Sequence, residues 1–337
     1  MIEMYEIRFC RKEEMDKLQL YIKDNININE SLANNSVFFN WFFGNKTDNY
    51  YNCLLAVHKE SNQIHGFFGI LPIYAYDSKL FSKKDIWVTN FSVKSSHRGN
   101  GIGNKLIKYL LNSYDKESFG SPGISDMAFP MFKKHGFKTG YLNHYYILNN
   151  ELESYSLIGN VNKNNAHYNM PRVPNSYRFL EVHTLDSIHI EINDSIKPSK
   201  SIDFVKNRYS NHPLVKYRFF VVNNNSTNIC LLVIRKVEVN NSSCLRIVDI
   251  VGNYSSIKYI DFEKFIKNEQ VEYIDCYNYG VEERIFYNAG FIKKEGKVIV
   301  PDHFEPFEKR NIPINYAYKY EGEYIIFKGD GSLDRPR

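Results

Sequence analysis

Three glycines fall within five residues, Gly99, Gly101 and Gly103, with Arg98 before them, Asn100 and Ile102 between them, and Asn104 after. Glycine lets a backbone turn tightly and leaves its N–H groups uncovered by side chains. A helix starting directly behind such a turn aims its first N–H groups, and the positive end of its dipole, at the same spot. That combination suits a diphosphate. Arg98 can add a charge-assisted hydrogen bond at the rim. Two familiar phosphate loops do not fit the spacing: the further glycine of the dinucleotide fingerprint is missing, and no Lys-Ser/Thr follows as in a P-loop NTPase. The bland alternative is a glycine turn with a structural role alone.

The elements that must hold this loop are legible on either side. Asp85 to Val93 alternates like a strand and places Asp85, Trp87, Thr89, Phe91 and Val93 on one face. Asn104 to Tyr114 has helical spacing, with Leu106, Ile107, Leu110 and Leu111 sharing a face. The run Phe91-Ser-Val93-Lys-Ser-Ser-His-Arg98-Gly-Asn-Gly101-Ile-Gly103-Asn-Lys-Leu106-Ile resembles motif A of the GNAT superfamily of acyl-CoA-dependent N-acyltransferases. Ala128-Phe-Pro-Met-Phe132-Lys-Lys-His-Gly136-Phe137 is similar to that superfamily's second signature, a short helix closed by Gly-Phe. The two signatures stand in the expected order and cover about the first 150 residues.

At 337 residues the chain is long for a single core, so two domains are expected. It is 43% hydrophobic and 15% aromatic, which suits a packed interior and argues against disorder. Met1 to Arg11 is too charged for a signal peptide, and no apolar run approaches the roughly 20 residues that span a bilayer. A cytoplasmic protein without membrane insertion is the expectation. Cys10, Cys53, Cys230, Cys244 and Cys276 are scattered with no CxxC pair, as expected of buried free thiols, and no metal site is expected. The net charge of +5 is compatible with an anionic cosubstrate or a sugar nucleotide but selects neither.

Further along the chain the order of the first half recurs. Arg178 to Val182 matches the opening strand, and Phe204 to Pro213 stands where the aromatic patch Ser36 to Gly44 stood. Glu282 to Phe291 ends in Gly290-Phe291 as the first half's short helix ends in Gly136-Phe137. Yet Gly252-Asn-Tyr-Ser-Ser replaces the Arg-x-x-Gly-x-Gly loop. The fold class expected is α/β (α+β), with two tandem GNAT-like domains, each a mixed central sheet flanked by helices, the second degenerate. Residues 1–150 form the first, closed by a strand over Tyr141 to Leu148. Residues 151–175, polar with two prolines, are a linker, and 176–337 form the second.

The resemblance implies a direct transfer of an acyl group from acyl-CoA, with acetyl-CoA the first choice, to an amine. Phe91, Ser92, Val93, Arg98, Gly99, Asn100, Gly101, Ile102, Gly103 and Asn104 would then hold the cosubstrate. The Val93 backbone N–H would polarise the thioester carbonyl. Asp85 is the titratable residue on the strand face and the first candidate for the general base, with His135 and His144 behind it. The family often has a Tyr four residues before the Gly of the second signature; Phe132 stands there, and Phe286 in the second half. The ending Asp330-Gly-Ser-Leu-Asp334-Arg335-Pro336-Arg337 resembles that of tandem GNAT proteins from bacterial surface-polysaccharide pathways, which implies an amino sugar, nucleotide-linked, as acceptor. Trp41, Arg208, Tyr209, Asp330, Asp334 and Arg335 are the candidate acceptor-binding residues. The alternatives are a Fem-type aminoacyl-tRNA-dependent ligase, which would want a basic RNA face, chemistry of the mycothiol-synthase kind, and a tandem module that binds CoA without turnover. No nucleic acid partner is expected.

Overall fold

The computed structural model describes residues 4–27, 29–161, 172–225, 227–301 and 310–334. Two mixed sheets, each flanked by helices, account for them. The first sheet is built from β1 (Tyr5–Arg11), β2 (Tyr50–His58), β3 (Ile64–Pro72), β4 (Asp85–Val93), β5 (Ser118–Ile124) and β6 (Lys138–Tyr141). The next strand in the chain, β7 (Asn143–Leu148), leaves for the second sheet. There it joins β8 (Tyr177–Val182), β9 (Arg218–Asn224), β10 (Thr227–Val239), β11 (Ser242–Gly252), β12 (Tyr273–Tyr279) and β13 (Ile292–Lys293). In return β14 (Asn315–Lys319) crosses back and inserts between β5 and β6, while β15 (Ile326–Phe327) pairs with β12.

The sheet orders are therefore β1-β2-β3-β4-β5-β14-β6 and β13-β7-β12-β11-β10-β9-β8. They have the same pattern, with one strand exchanged between them. This corrects the expectation that Tyr141 to Leu148 closes the first unit. One residue, Leu142, separates β6 from β7, too few for a hairpin to turn back on its own sheet. The chain runs straight on into the neighbouring sheet instead, and the Leu142 N–H is bonded to Ile314 O at 2.9 Å.

Helices α1 (Met15–Asn25), α2 (Ser31–Asn34) and α3 (Ser36–Phe43) cover the inner face of the first sheet. Asn35 caps α3 through its side chain, and Phe38, Phe39, Phe42 and Phe43 are buried. They join one core with Phe67, Leu71 and Trp87 of the first sheet and Phe219, Val221, Leu231 and Val248 of the second. Alternation on each strand sends the other set of apolar residues outward. On the first sheet these pack under α4 (Ile102–Ser113) and α5 (Phe129–Lys134). On the second they pack under α7 (Phe262–Asn268) and α8 (Glu283–Asn288), while α6 (Ile202–Val205) sits in the shared core. The aromatic patches of the two halves touch, with the Trp41 ring 4.6 Å from that of His212.

Residues 151–161, the described start of the expected linker, bury Leu157 and Ile158 against Tyr146, Val237 and Val300; residues 162–171 of that linker lie outside the described residues. The five cysteines are buried and free. Among the described residues no helix is long and apolar enough to cross a membrane, and no cluster of three or more metal-ligating side chains occurs.

Candidate functional site

The glycine loop lies where the spacing put it, between β4 and α4. Gly99 and Gly101 adopt φ of +86° and +74°, the left-handed region where a side chain is strained. A Cβ built on either would meet nothing within 4 Å, so the loop's outer surface is bare main chain. Helix α4 starts on Gly101 with no side-chain cap, so no side chain screens its first N–H groups. Gly103 has a different task. A Cβ there would come within 2.9 Å of the Phe91 ring and 3.1 Å of Met131 Sδ, so its absence lets α4 press against β4 and α5. Arg98 Nε donates to Val93 O at 3.1 Å, tying the loop to the strand end, and Asn104 Oδ1 pairs with His135 Nε2 at 3.0 Å. His97, just before the loop, has its ring centroid 3.7 Å from that of His65, the two planes tilted by 36°.

Strands β4 and β5 pair in parallel over Asp85 to Trp87 and Ser118 to Gly120, and then part. Beyond the parting lies a cavity of about 170 Å³, lined by Thr89, Asn90, Phe91 and Ser92 on one side and residues 121–125 on the other. Asn90 takes φ +50°, and the β3–β4 register slips there, a bulge. One extra residue reverses the alternation downstream of it. Trp87 joins the core between the sheets, whereas Phe91 and Val93 pack with Ile86, Val88 and Phe68 under α4. Asp85, Trp87, Thr89, Phe91 and Val93 thus do not share one face, contrary to the expectation from simple alternation. The Lys94 N–H donates to His65 O, so the N–H and C=O of Val93, one residue earlier, turn away from β3 toward the gap. Tyr21 of α1 reaches the same strand, its hydroxyl 3.1 Å from Ser92 Oγ.

Asp85 is not in this cavity. It is fully buried, accepting from Ser118 Oγ at 2.7 Å and the Ser199 N–H at 2.8 Å, with Lys197 Nζ at 3.4 Å. The candidate base is thereby committed to joining β4, β5 and the 197–200 segment, a correction to the expectation that it faces the cleft. His144, on the exchanged strand, is buried against Asp275 at 2.9 Å, and burial lowers its pKa to about 4 despite that carboxylate. His135 sits at the end of α5, its pKa lowered by partial burial and nearby lysines.

The candidate acceptor residues divide. Trp41 is half-buried and lines a second cavity, of about 470 Å³, together with Tyr76, Asn207, Asn211, Lys12 and Lys46. Arg208 and Tyr209 are buried and turned inward. Arg208 donates to Tyr76 Oη at 2.5 Å and to the carbonyls of Gly329 and Gly331, and Tyr209 donates to Asp249 at 2.8 Å. Asp330 pairs with Lys200 at 2.8 Å; burial pushes its carboxyl up to about 6 even so. Asp334 accepts from Tyr217 at 2.8 Å and Arg235 at 3.2 Å. These four are buried and held by partners inside the molecule, so they do not present themselves to a bound sugar. Arg335 lies outside the described residues. Trp41 touches the Arg208 guanidinium, 5.7 Å from its ring, so the second cavity and the buried tail share a wall.

No curated protein matches this chain. Solved structures similar to it in fold include a GCN5-related N-acetyltransferase from Anabaena variabilis, at 10% identity and a TM-score of 0.57, over 93% of this chain and 72% of the other. A putative acetyltransferase from Pyrococcus horikoshii is similar at 13% identity and a TM-score of 0.53, over 100% and 97%. A conserved protein of unknown function from Enterococcus faecalis, a probable N-acyltransferase, is similar at 10% identity and 0.56, over 94% and 72%. At such identities the likeness is one of fold. Residues 49–139, from β2 through the glycine loop to β6, match the acetyltransferase (GNAT) domain. The chain is thus similar to that domain over the segment that holds the glycine loop.

Proposed function

We propose that this protein transfers an acyl group from acyl-CoA to the amine of an amino sugar, nucleotide-linked, in a ternary complex. The observation that carries the first part is the bare loop: Gly99 and Gly101 offer an uncovered main chain at an uncapped helix start. The diphosphate of CoA is bound there by N–H groups, with Arg98 at the rim. The pantetheine arm enters between the parted β4 and β5, and the Val93 N–H, turned toward that gap, stabilises the oxyanion that forms as the amine attacks the thioester.

Two proton transfers remain. No carboxylate or imidazole lines the acyl cavity among the described residues, and Asp85 is occupied elsewhere. The amine accordingly enters as the free base or loses its proton to water. The leaving thiolate needs no dedicated acid, because a free thiol has a pKa of about 8.5, and Phe132 stands where a Tyr would supply one.

The acceptor is assigned to the cavity beside Trp41. An aromatic face, the Asn211 side-chain oxygen, and the ammonium groups of Lys12 and Lys46 match a sugar ring, one of its hydroxyls and a phosphate respectively. Thiol release measured across a panel of nucleotide-linked amino sugars tests this. Activity on one or more is expected, with Trp41→Ala raising KM for the sugar about tenfold, the worth of one good stacking contact, and leaving CoA affinity unchanged. Silence with every amino sugar combined with turnover of charged tRNA would transfer the assignment to a Fem-type ligase. A CoA-binding module without turnover is the second reading, favoured by the burial of Asp85; acetyl-CoA binding with no thiol release for any amine would establish it.

A further inference from the structure

We propose that the C-terminal tail forms a wall of the acyl cavity, with Ser332 setting the length of acyl group admitted. This rests on the acyl-CoA reading above and adds a specificity-determining residue to it.

Three consecutive tail residues touch both lips of the gap between β4 and β5. A Cβ on Gly331 would lie 3.0 Å from the Pro122 ring, on the β5 side. Ser332 Oγ bonds to Thr89 Oγ1 of β4. Leu333 Cδ1 lies 2.9 Å from where a Cβ on Gly123 of β5 would be. The tail therefore bridges the parted strands 243 residues away in sequence from Thr89. Of these three, Ser332 lines the cavity.

Buried groups hold this bridge on both sides of Ser332. Before it, Asp330 accepts from the Phe327 N–H at 2.9 Å and pairs with Lys200, while Arg208 holds the carbonyls of Gly329 and Gly331. After it, Asp334 is fixed by Tyr217 and Arg235. The paired aspartates of the tail thus act as staples for the residue between them, which gives the unusual C-terminal sequence a role in the acyltransferase site.

The chemistry of the wall is neutral. Thr89 Oγ1 donates to Asn90 Oδ1 at 2.9 Å, so its oxygen accepts the hydrogen of Ser332. The lone pairs of Ser332 Oγ are left for the cavity. With Ser92, Ser121 and Ser125 nearby and a volume of about 170 Å³, the space fits a short uncharged acyl group and has a fixed end.

Calorimetry on the full chain with CoA, acetyl-CoA and butyryl-CoA tests the wall, with Ser332→Gly and Ser332→Leu compared to the natural protein and folding checked by thermal melting. Shortening the wall in Ser332→Gly is expected to shift the butyryl-to-acetyl affinity ratio about tenfold toward butyryl, the scale on which a pocket discriminates methylenes. Ser332→Leu is expected to weaken acetyl-CoA about tenfold. CoA itself should bind all three equally. Unchanged acyl ratios in both folded variants, with CoA binding intact, would overturn the wall while leaving the acyl-CoA reading standing. No binding of CoA by the natural protein would bring down that reading, and the wall with it.

Discussion

Both sheets open a gap between their two parallel strands, and the chain treats the two gaps in opposite ways. In the first, β4 and β5 pair over three residues and part; in the second, β11 and β12 pair over Leu245 to Ile247 and Ile274 to Cys276 and part likewise. The second gap is filled by backbone. Strand β15 pairs with β12 at Asn278 and Tyr279, and the Gly329 N–H donates to Val248 O at 2.7 Å. Phe327 is fully buried there. The first gap receives only the edge of the same tail and keeps its cavity.

The turns after the two strands differ in the same sense. Gly252 is closed in, since a Cβ on it would sit 2.5 Å from Ile229 O. The Asn253 side chain accepts from the Ser255 N–H at 3.0 Å, so a side chain caps the turn where the first half leaves its N–H groups bare. One scaffold thus carries a bare turn in one half and a closed joint in the other, according to what its N–H groups meet.

Three experiments press on this comparison. The largest effect is expected in the filled gap: Phe327→Ala should cost about 3–5 kcal/mol of stability, the range for emptying a buried aromatic site, read by denaturant unfolding. A loss under about 1 kcal/mol would mean that the second gap is not a structural joint. Next, Gly101→Glu places a carboxylate and a strained side chain at the bare loop and should weaken CoA more than about 100-fold, from two or more lost charge-assisted hydrogen bonds. Its counterpart Ser255→Glu, exposed on the capped turn, should leave CoA affinity unchanged; equal losses in the two variants would erase the distinction between the halves.

The smallest effect concerns the exchanged strand. His144 is held neutral by burial, its pKa lowered to about 4, whereas in the unfolded chain it titrates near 6.5. Below that value the unfolded chain takes up a proton that the folded one does not, so stability falls as pH drops from about 6.5 toward 4. By pH 5 the contribution lost is about 2 kcal/mol. His144→Gln should flatten this part of the slope in pH-dependent melting. His65 and His212, which burial lowers to about 4 and about 3, would keep the remainder.

What could be seen in the sequence was local. The Arg98 to Asn104 loop needed only the strand before it and the apolar face of α4 after it, and both were visible within thirty residues. The Gly136-Phe137 and Gly290-Phe291 closures exposed the repeat for the same reason. Asp85 was placed by alternation on a face it shares with Trp87, but nothing nearby in sequence announced Lys197 and Ser199, which hold it. The bulge at Asn90 had no signal beyond an asparagine, a residue that tolerates positive φ. Trp41 was singled out as an aromatic in a dense patch; the cavity it lines needed Asn207 and Asn211 from the other half.

By itself, then, the sequence determined the backbone turn that leaves N–H groups bare, the helix behind it, and the presence of a second, altered copy. Those features depend on torsions and spacing within a few residues. Only the tertiary structure decided that β7 and β14 trade sheets and which of two similar gaps stays open. It also turned the charged tail inward, against Lys200, Arg208 and Arg235. These outcomes rest on pairing and burial between segments as much as 243 residues apart, where each charge or strand edge takes whichever partner the packed whole brings to it.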